Sequence, residues 1–267
     1  MEMIASARMR RTEQRALEAR PYAARLSILM GLVADDSRSR NGQPDGERQE
    51  AGQSLVVHMA TDKGLCGGLN AHVNHSLGAF ILEQTQPVVV ITVGRKARDF
   101  ALRSRLRLAA EFSDLGDAPG IAELRPLCGL ITGMFSRGEV DRVYLSYSRY
   151  VSLTVQRPTI EELLPVVASV PVSDESQSFI YEPDIGKVVD ALLVRYVEAA
   201  IYHAYLERVA SEYAARMIAM HNATDSAIEL AEAMTMELNK SRQTAITEEI
   251  CDVSAGTEAL SHGGAGG

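Results

Sequence analysis

The last third of the chain has the hydrophobic pattern of one long coiled-coil helix, predicted over residues 184–260. Small and apolar residues alternate there at steps of four and three, which is the spacing of a coiled-coil seam. The predicted seam consists of Tyr213, Met217, Met220, Thr224, Ala227, Ala231, Met234 and Leu238. A compact domain cannot cover a helix of about 110 Å, so most of this segment is expected to pack along another helix.

Residues 1–33 carry a matching pattern and are the predicted antiparallel partner. The seam positions are Ala16, Ala19, Ala23, Leu26, Met30 and Val33. Alanines at a seam allow helix axes to approach to about 8–10 Å. Pro21 lies inside the pattern and predicts a kink or a break, because proline removes a backbone hydrogen-bond donor.

Between the two helical segments the period of the pattern changes. Residues 34–53 are polar and predict a surface loop, whereas residues 54–172 alternate short β-branched runs with helical spacing, which predicts an α/β lobe. Strands are predicted at 54–61, 87–93 and 141–148, helices at 69–84 and 121–136, an antiparallel neighbour of the third strand at 151–157, and a further strand in LPVVASVPV.

The predicted fold class is therefore an α/β lobe with an antiparallel two-helix coiled coil. The lobe is expected to be Rossmann-like, with a mostly parallel sheet and an antiparallel edge hairpin. A linker is predicted at 173–183 and a disordered tail at 261–267.

The composition and charge of the chain limit the functions that it can have. The 267-residue chain has a net charge of −8 and a pI near 5.3, which argues against general attraction to nucleic acid or anionic membranes. The first 25 residues nevertheless hold six arginines against three glutamates. Three scattered cysteines favour a reducing compartment. No apolar run reaches membrane-spanning length, so any membrane association is expected to be through a partner.

The loop TDKGLCGGLN at 61–70 follows the first predicted strand and opens a helix, which is the position of a phosphate-binding turn in α/β sheets. Its glycines do not match G-x-G-x-x-G, and no G-K-[ST] follows. A structural or contact role is favoured. A nucleotide-binding α/β enzyme with a coiled-coil oligomerisation arm remains the alternative function.

Other candidate sites are weaker. The cations of VGRKARDF at 93–100 are interpreted as a solvated face rather than an anion site. His72 and His75 have a helical spacing that suits a metal, but no carboxylate or thiol stands at a matching position. Cys66 has no histidine placed as its base. No catalytic residue, cofactor or metal site is predicted, and the residues alone indicate a mechanical or scaffolding protein.

Five segments of the chain together resemble the gamma subunit of F-type ATP synthases. They are MEMIASARMRRTEQRALEARPYA, TDKGLCGGLN, QRPTIEELLP, SEYAARMIAMHNATDSA and LNKSRQTAITEEI. The resemblance implies a non-catalytic rotor shaft whose coiled coil lies inside a hexamer of alpha and beta subunits. It also implies that rotation of the membrane c-ring is coupled to ATP synthesis in the beta subunits, at the cytoplasmic face of a bacterial inner membrane.

The resemblance also assigns contact residues and partners. Contacts with the alpha and beta sleeve are implied for Met1, Arg242, Gln243, Thr247, Glu249 and Asp252. A foot near the c-ring and the epsilon subunit is implied for Lys63, Gly64, Leu65, Cys66 and Gly67. The implied partners are the alpha, beta, epsilon and c subunits, with no nucleic acid and no direct membrane insertion. The coupling ion, H⁺ or Na⁺, stays open, although proton translocation is the expectation.

Family members carry further residues before the MEM motif, so the chain resembles an N-terminally short member. A start assigned at an internal methionine, a real truncation and a degenerate paralogue that no longer assembles are all compatible with this. If Met1 lies opposite Arg242, Val33 is expected to face roughly Ala210. Residues 244–260 would then form a lone helical tip whose apolar stripe has no cover.

Overall fold

A computed structural model of the protein describes residues 1–41, 52–117, 119–166, 181–182 and 184–263. Its elements are α1 (Glu2–Asn41), β1 (Ser54–Met59), α2 (Leu69–Glu83), β2 (Val88–Val93), α3 (Arg95–Arg103), β3 (Arg107–Phe112), α4 (Ile121–Ser136), β4 (Arg142–Tyr150), β5 (Gln156–Leu164) and α5 (Ile185–Gly263). The chain forms two compact units. The first is Met1–Ala219 and the second begins at Met220.

The five strands form one sheet in the order β3-β2-β1-β4-β5. β1 pairs in parallel with both β2 and β4, β2 pairs in parallel with β3, and β5 runs antiparallel to β4 at the edge. The predicted fold class is confirmed. Because the chain passes from one side of β1 to the other between β3 and β4, the crevice at the carboxyl ends of β1 and β4 is the topological switch point of the sheet.

Some elements of the lobe differ from the prediction. β3 was not expected because the sequence RLAAEF alternates exposed with half-buried residues and lacks a long β-branched run. Residues 151–155, expected to begin the edge strand, form the turn of the hairpin, in which the Val151 and Ser152 N–H groups donate to the Val155 carbonyl. Most of the further strand expected in LPVVASVPV lies outside the described residues.

Side chains of the central strands alternate between two cores, as the period of a β-strand requires. Leu55, Val57 and Met59 of β1 belong to the main core, which also contains residues of α1, α4 and α5. Val56 faces the other side and packs with Leu77 of α2 in a smaller core. The sheet is therefore covered on both faces, and α5 belongs to one of the two covering layers.

Helix α1 extends to Asn41, so the boundary predicted at residue 33 falls inside it. The helix also continues through Pro21, where a kink or a break was predicted. Its buried positions include Ala5, Met9, Thr12, Ala16, Leu26, Met30 and Val33, with Ala19 and Ala23 half-buried. These residues follow one another at steps of four and three, so one face of α1 is a continuous packed stripe.

Two polar contacts define how α1 pairs with α5. Arg8 Nη1 donates to the Tyr213 hydroxyl at 2.9 Å, and Arg20 Nε donates to Glu207 at 2.7 Å. The higher-numbered residue of α1 contacts the lower-numbered residue of α5, so the two helices are antiparallel.

The same contacts show that the register predicted from the sequence is wrong. Met1 lies alongside the part of α5 that directly follows Tyr213, several helical turns before Arg242. Val33 correspondingly lies beyond Ala210, towards the start of α5. The error has a physical cause: small and apolar residues recur every three or four positions along α5, so the seam pattern fits α1 at more than one offset.

Residues 204–214 of α5 are buried on every side of the helix. They belong to a core shared with α1, α4 and the sheet. A helix buried all round is expected to be apolar, yet this stretch includes Glu207, Arg208, Ser211 and Glu212. Each of these polar side chains therefore needs a partner inside the protein.

The second unit has no such cover. Every described side chain from His221 to Glu258 is exposed. Ala227, Ala231, Met234 and Leu238, which the sequence predicted to pack against residues 1–33, are among these exposed side chains. The fully exposed stretch of α5 therefore begins at His221, whereas the sequence predicted that the uncovered tip begins at residue 244.

Candidate functional site

Glu207 connects α5 to α1 and to the end of β4. Its fully buried carboxylate accepts hydrogen bonds from Arg20 Nε at 2.7 Å and from the backbone N–H of Tyr150 at 2.8 Å. His203 Nε2 lies 3.4 Å from the oxygen that Arg20 contacts. Burial raises the pKa of Glu207, but His203, Arg20 and the Tyr150 N–H outweigh burial and lower it to about 2. The group is therefore an anion at neutral pH.

Arg208 and Ser211 fill the switch-point crevice of the sheet. Arg208 Nη1 donates to the carbonyl of Ala60, directly after β1, at 2.8 Å. Ser211 Oγ donates to the carbonyl of Ser148 in β4 at 2.9 Å. Open α/β sheets bind their ligands in this crevice. Since α5 occupies it, the geometry does not favour the nucleotide-binding alternative.

The guanidinium of Arg208 is held from two further directions. It lies over the Tyr205 ring, 4.4 Å from the centroid, and approaches Glu212 at 3.3 Å. Glu212 also accepts from Arg216 at 2.6 Å. Stacking and bidentate pairing suit the planar guanidinium, so this cation has little freedom to move.

The glycine-rich loop at 61–70 is closed on itself and tied to α5. The Asn70 side chain exchanges hydrogen bonds with Thr61, accepting from its backbone N–H at 3.2 Å and donating to its hydroxyl at 2.8 Å. Arg216 Nη2 donates to the Gly64 carbonyl at 3.2 Å. Leu65 has a positive φ of 62° and is 63% exposed, so it presents an apolar side chain to solvent.

The foot residues implied by the resemblance do not all face solvent. Lys63, Gly64, Leu65 and Gly67 are exposed. Cys66 is buried and accepts from Asn70 Nδ2 at 3.2 Å. Burial raises the pKa of the Cys66 thiol, so it is protonated at neutral pH and its position is that of a packing residue rather than a nucleophile.

Two of the cations that follow β2, Arg95 and Arg98, are paired. Arg95 makes two hydrogen bonds to Asp114, at 2.7 and 2.8 Å, and Arg98 contacts Glu111 at 3.1 Å. The chain turns into α3 at Gly94, where φ is 96° and an added Cβ would stand 2.3 Å from the Ala60 carbonyl oxygen. These arginines therefore have internal carboxylate partners, which favours the solvated-face interpretation over an anion site.

The histidines divide into two groups. His72 and His75 are exposed on α2. His58, which the sequence did not single out, is buried in β1, with Nε2 2.9 Å from Asn74 Oδ1 and Nδ1 3.0 Å from Ser146 Oγ. Burial lowers the pKa of His58 to about 4, against a smaller opposing effect of Asn74. The neutral imidazole thus links β1, β4 and α2.

In the second unit the sleeve residues implied by the resemblance are all exposed. They are Arg242, Gln243, Thr247, Glu249 and Asp252. Large apolar side chains are exposed beside them: Ile228, Leu230, Met234, Met236, Leu238, Ile246, Ile250 and Val253. Met1, in the first unit, is also exposed. A concentration of exposed apolar side chains marks an interaction surface.

A cavity of about 620 Å³ lies in the first unit between α1, α5 and the β4–β5 hairpin. Among its charged lining groups, Arg20 pairs with Glu207 and Arg149 pairs with Glu161. Among the described residues, no helix combines the length and the hydropathy needed to cross a membrane.

Comparison with known proteins identifies the family. The ATP synthase family model matches residues 1–260. The ATP synthase gamma chain of Dehalococcoides mccartyi is 41% identical over 261 residues, covering 97% of this chain and 92% of that protein. The chain belongs to the family of ATP synthase gamma chains. The gamma chain of Chloroflexus aurantiacus is 39% identical over 265 residues, covering 97% of this chain and 91% of its own length.

Solved structures agree with this fold. The central stalk and c-ring structure of the Tetrahymena thermophila mitochondrial ATP synthase contains a chain that matches with a TM-score of 0.68 at 21% identity, covering 84% of this chain and 97% of that one. A chain of the Euglena gracilis mitochondrial ATP synthase matches with a TM-score of 0.63 at 17% identity, covering 98% and 97%. As a gamma chain, the protein is a subunit of the ATP synthase complex.

The buried polar residues of α5 were missed by the sequence reading. The predicted seam begins at Tyr213 and directed attention to small and apolar positions, whereas Glu207, Arg208 and Ser211 precede it. A signal was present in the sequence. The segment AYLERVASEYA at 204–214 has apolar residues on every side of the helix, which is typical of a helix that is buried all round. Charged residues within such a helix are expected to have partners inside the protein.

Proposed function

We propose that this gamma chain is the central rotor shaft of a proton-translocating F-type ATP synthase. Rotation of the membrane c-ring turns the shaft, and the shaft changes the catalytic beta subunits in turn. The chain has no catalytic role of its own, and ATP is made in the beta subunits.

The observation that carries the proposal is the contrast along α5. Residues 204–214 are buried and bonded to α1 and the sheet, whereas residues 221–258 are exposed and rich in apolar side chains. A lone helix of that length with exposed apolar residues needs a cover in its working state. A hexamer of alpha and beta subunits supplies such a cover.

The exposure of these residues supports a proposal for the contacts. Arg242, Gln243, Thr247, Glu249 and Asp252 bind the alpha and beta sleeve. The glycine-rich loop, with Leu65 exposed, contacts the c-ring and the epsilon subunit. The complex holds the chain at the cytoplasmic face of the bacterial inner membrane as a peripheral subunit.

Reconstitution tests the proposal. ATP synthase is assembled from its other subunits with and without this chain and is placed in lipid vesicles. ATP-driven proton uptake that requires the chain supports the rotor role. ATP hydrolysis without proton uptake, in a complex that contains the chain, contradicts it and identifies a paralogue that no longer couples.

A second measurement addresses the enzyme alternative. Equilibrium dialysis of the isolated chain against ATP and NAD is expected to give no tight binding, because α5 fills the crevice in which such a sheet would bind a nucleotide. Tight binding would favour a nucleotide-binding α/β enzyme.

A further inference from the structure

Glu207 and Arg208 are consecutive residues of α5 that bind different parts of the first unit. Glu207 accepts from Arg20 of α1 and from the N–H of Tyr150, the last residue of β4. Arg208 donates to the Ala60 carbonyl after β1. Consecutive side chains of an α-helix point about 100° apart. The two bonds therefore hold α5 from two sides and oppose rotation of the helix about its own axis.

These charges are not what packing alone would select. Glu207 has no exposed surface, and Arg208 is 3% exposed. Taking charges out of water carries a large desolvation cost, and apolar residues of similar volume often replace a buried ion pair without loss of stability. Hydrophobic contact is non-directional, whereas a hydrogen bond weakens when its angle changes. The charged residues thus add directional contacts to a packed interface and oppose rotation of the helix more strongly than apolar packing alone.

The contacts continue from Arg208 to the glycine-rich loop. Glu212 approaches Arg208 at 3.3 Å and accepts from Arg216 at 2.6 Å. Arg216 in turn donates to the Gly64 carbonyl at 3.2 Å. A chain of charge-assisted hydrogen bonds, which are stronger than neutral ones, therefore runs from the sheet through α5 to the loop.

We propose that Glu207 and Arg208 are positioning residues that fix the rotational register of α5 on the sheet, so that torque applied to the lobe is transmitted to the helix without slip. This inference rests on the proposed rotor function. It assigns the transmission to one two-residue element, the torque lock, which consists of Glu207 and Arg208.

The test uses the assembled ATP synthase in vesicles, with two measurements on each complex: the rate of ATP hydrolysis and the largest proton gradient that hydrolysis sustains. Arg208→Met and Glu207→Gln are expected to hydrolyse ATP while sustaining less than half of the wild-type gradient, since slip is greatest against a load. Arg208→Lys, which can still donate to Ala60, is expected to recover part of the gradient. Arg98→Met removes the partly exposed ion pairs of Arg98 with Asp99 and Glu111 and is the matched control, with both readouts unchanged.

The outcomes are distinguishable. If Arg208→Met and Glu207→Gln sustain the wild-type gradient, or if hydrolysis and gradient fall in the same proportion, the lock is merely structural and the inference is overturned. Urea unfolding of each isolated full chain identifies a variant that does not fold, in which case Arg208→Lys, with its intermediate gradient at normal hydrolysis, carries the test. If the wild-type complex pumps no protons, the rotor function fails and the torque lock fails with it.

Discussion

Arg20 and Glu207 form an ion pair of 2.7 Å across 187 positions of the sequence. A seam of small and apolar residues tolerates a shift of one helix by a whole heptad. A buried carboxylate, in contrast, has its hydrogen bonds only in the one register that brings its partner next to it. This pair, together with the contact of Arg8 with Tyr213, therefore specifies the offset between α1 and α5.

Removing the cation of this pair is expected to destabilise the chain. Arg20→Met leaves the buried Glu207 with only the Tyr150 N–H and His203 as partners. Loss of one member of a buried pair costs about 3–5 kcal/mol. Because the Arg20 side chain is 40% exposed, solvent screening reduces this, and we expect about 2 kcal/mol. Urea unfolding of the isolated chain measures the change, with Arg98→Met as the control that leaves the midpoint where it is. Equal midpoints for the two variants would contradict the role of Arg20.

The observed register of α1 and α5 predicts different effects of the same substitution at two alanines of α5. Ala214 is fully buried in the first unit, and Ala227 is exposed in the second. Ala214→Glu is expected to lower the stability of the isolated chain by several kcal/mol, because it buries an unpaired charge. Ala227→Glu is expected to leave the isolated chain unchanged. The order of the two thermal midpoints checks this, and the reverse order would restore the register that the sequence pattern suggested.

The periodic elements were predictable from the sequence because their signals are local. Short β-branched runs predict the strands β1, β2 and β4. Apolar residues at steps of three and four predict the helices α2 and α4 and the seam of α1. The offset between α1 and α5 could not be predicted in this way, since it is a long-range choice among similar local fits. The local pattern also predicts that the whole seam of α5 is packed, because the spacing continues unchanged to Leu238, although only the first part of the seam is buried.

A pH dependence follows from His58. Its pKa in the folded chain is about 4, below the ordinary value of 6.5, so the unfolded chain takes up the proton first as the pH falls. The stabilisation is complete above about pH 6.5 and is lost progressively towards pH 4, which amounts to about 2 kcal/mol between pH 6.5 and pH 5 at about 1.4 kcal/mol per unit. Glu207, with its pKa lowered from 4.5 to about 2, loses its contribution only below about pH 4.5.

Unfolding measured between pH 7 and pH 5 separates these groups. His58→Gln is expected to flatten the loss of stability in this range, because glutamine does not titrate, whereas His75→Gln on the exposed face of α2 is expected to keep the wild-type slope. The assignment fails if the slope of His58→Gln equals that of the wild type.

The cysteines predict a labelling pattern. Cys251 is exposed, whereas Cys66 and Cys128 are buried, and burial raises the pKa of the Cys128 thiol to about 12. A maleimide at neutral pH is expected to modify Cys251 alone in the folded chain, since the thiolate is the reactive form. On assembly with alpha and beta subunits, labelling of Cys251 is expected to slow sharply. Mass spectrometry reads both results, with Cys251→Ser as the control, and equal labelling before and after assembly would exclude docking of this part of α5.

The polar contacts of the site could not be predicted from the sequence for a different reason. Glu207, Arg208 and Ser211 acquire their roles from carbonyls and N–H groups at strand ends, and backbone groups are the same in every sequence. His58 likewise depends on Asn74 of α2 and Ser146 of β4, two residues that the fold brings to it. The resemblance, in contrast, named residues of α5 and of the glycine-rich loop that are exposed, except for Cys66, and their proposed contacts lie in other subunits.

Rotation itself tests the central claim most directly. A probe is attached to Leu82→Cys, an exposed position at the end of α2, in a Cys251→Ser chain assembled with alpha and beta subunits that are fixed to a surface. On addition of ATP, the rotor function predicts sustained rotation of the probe in one direction. A complex that hydrolyses ATP while the probe stays still would contradict it.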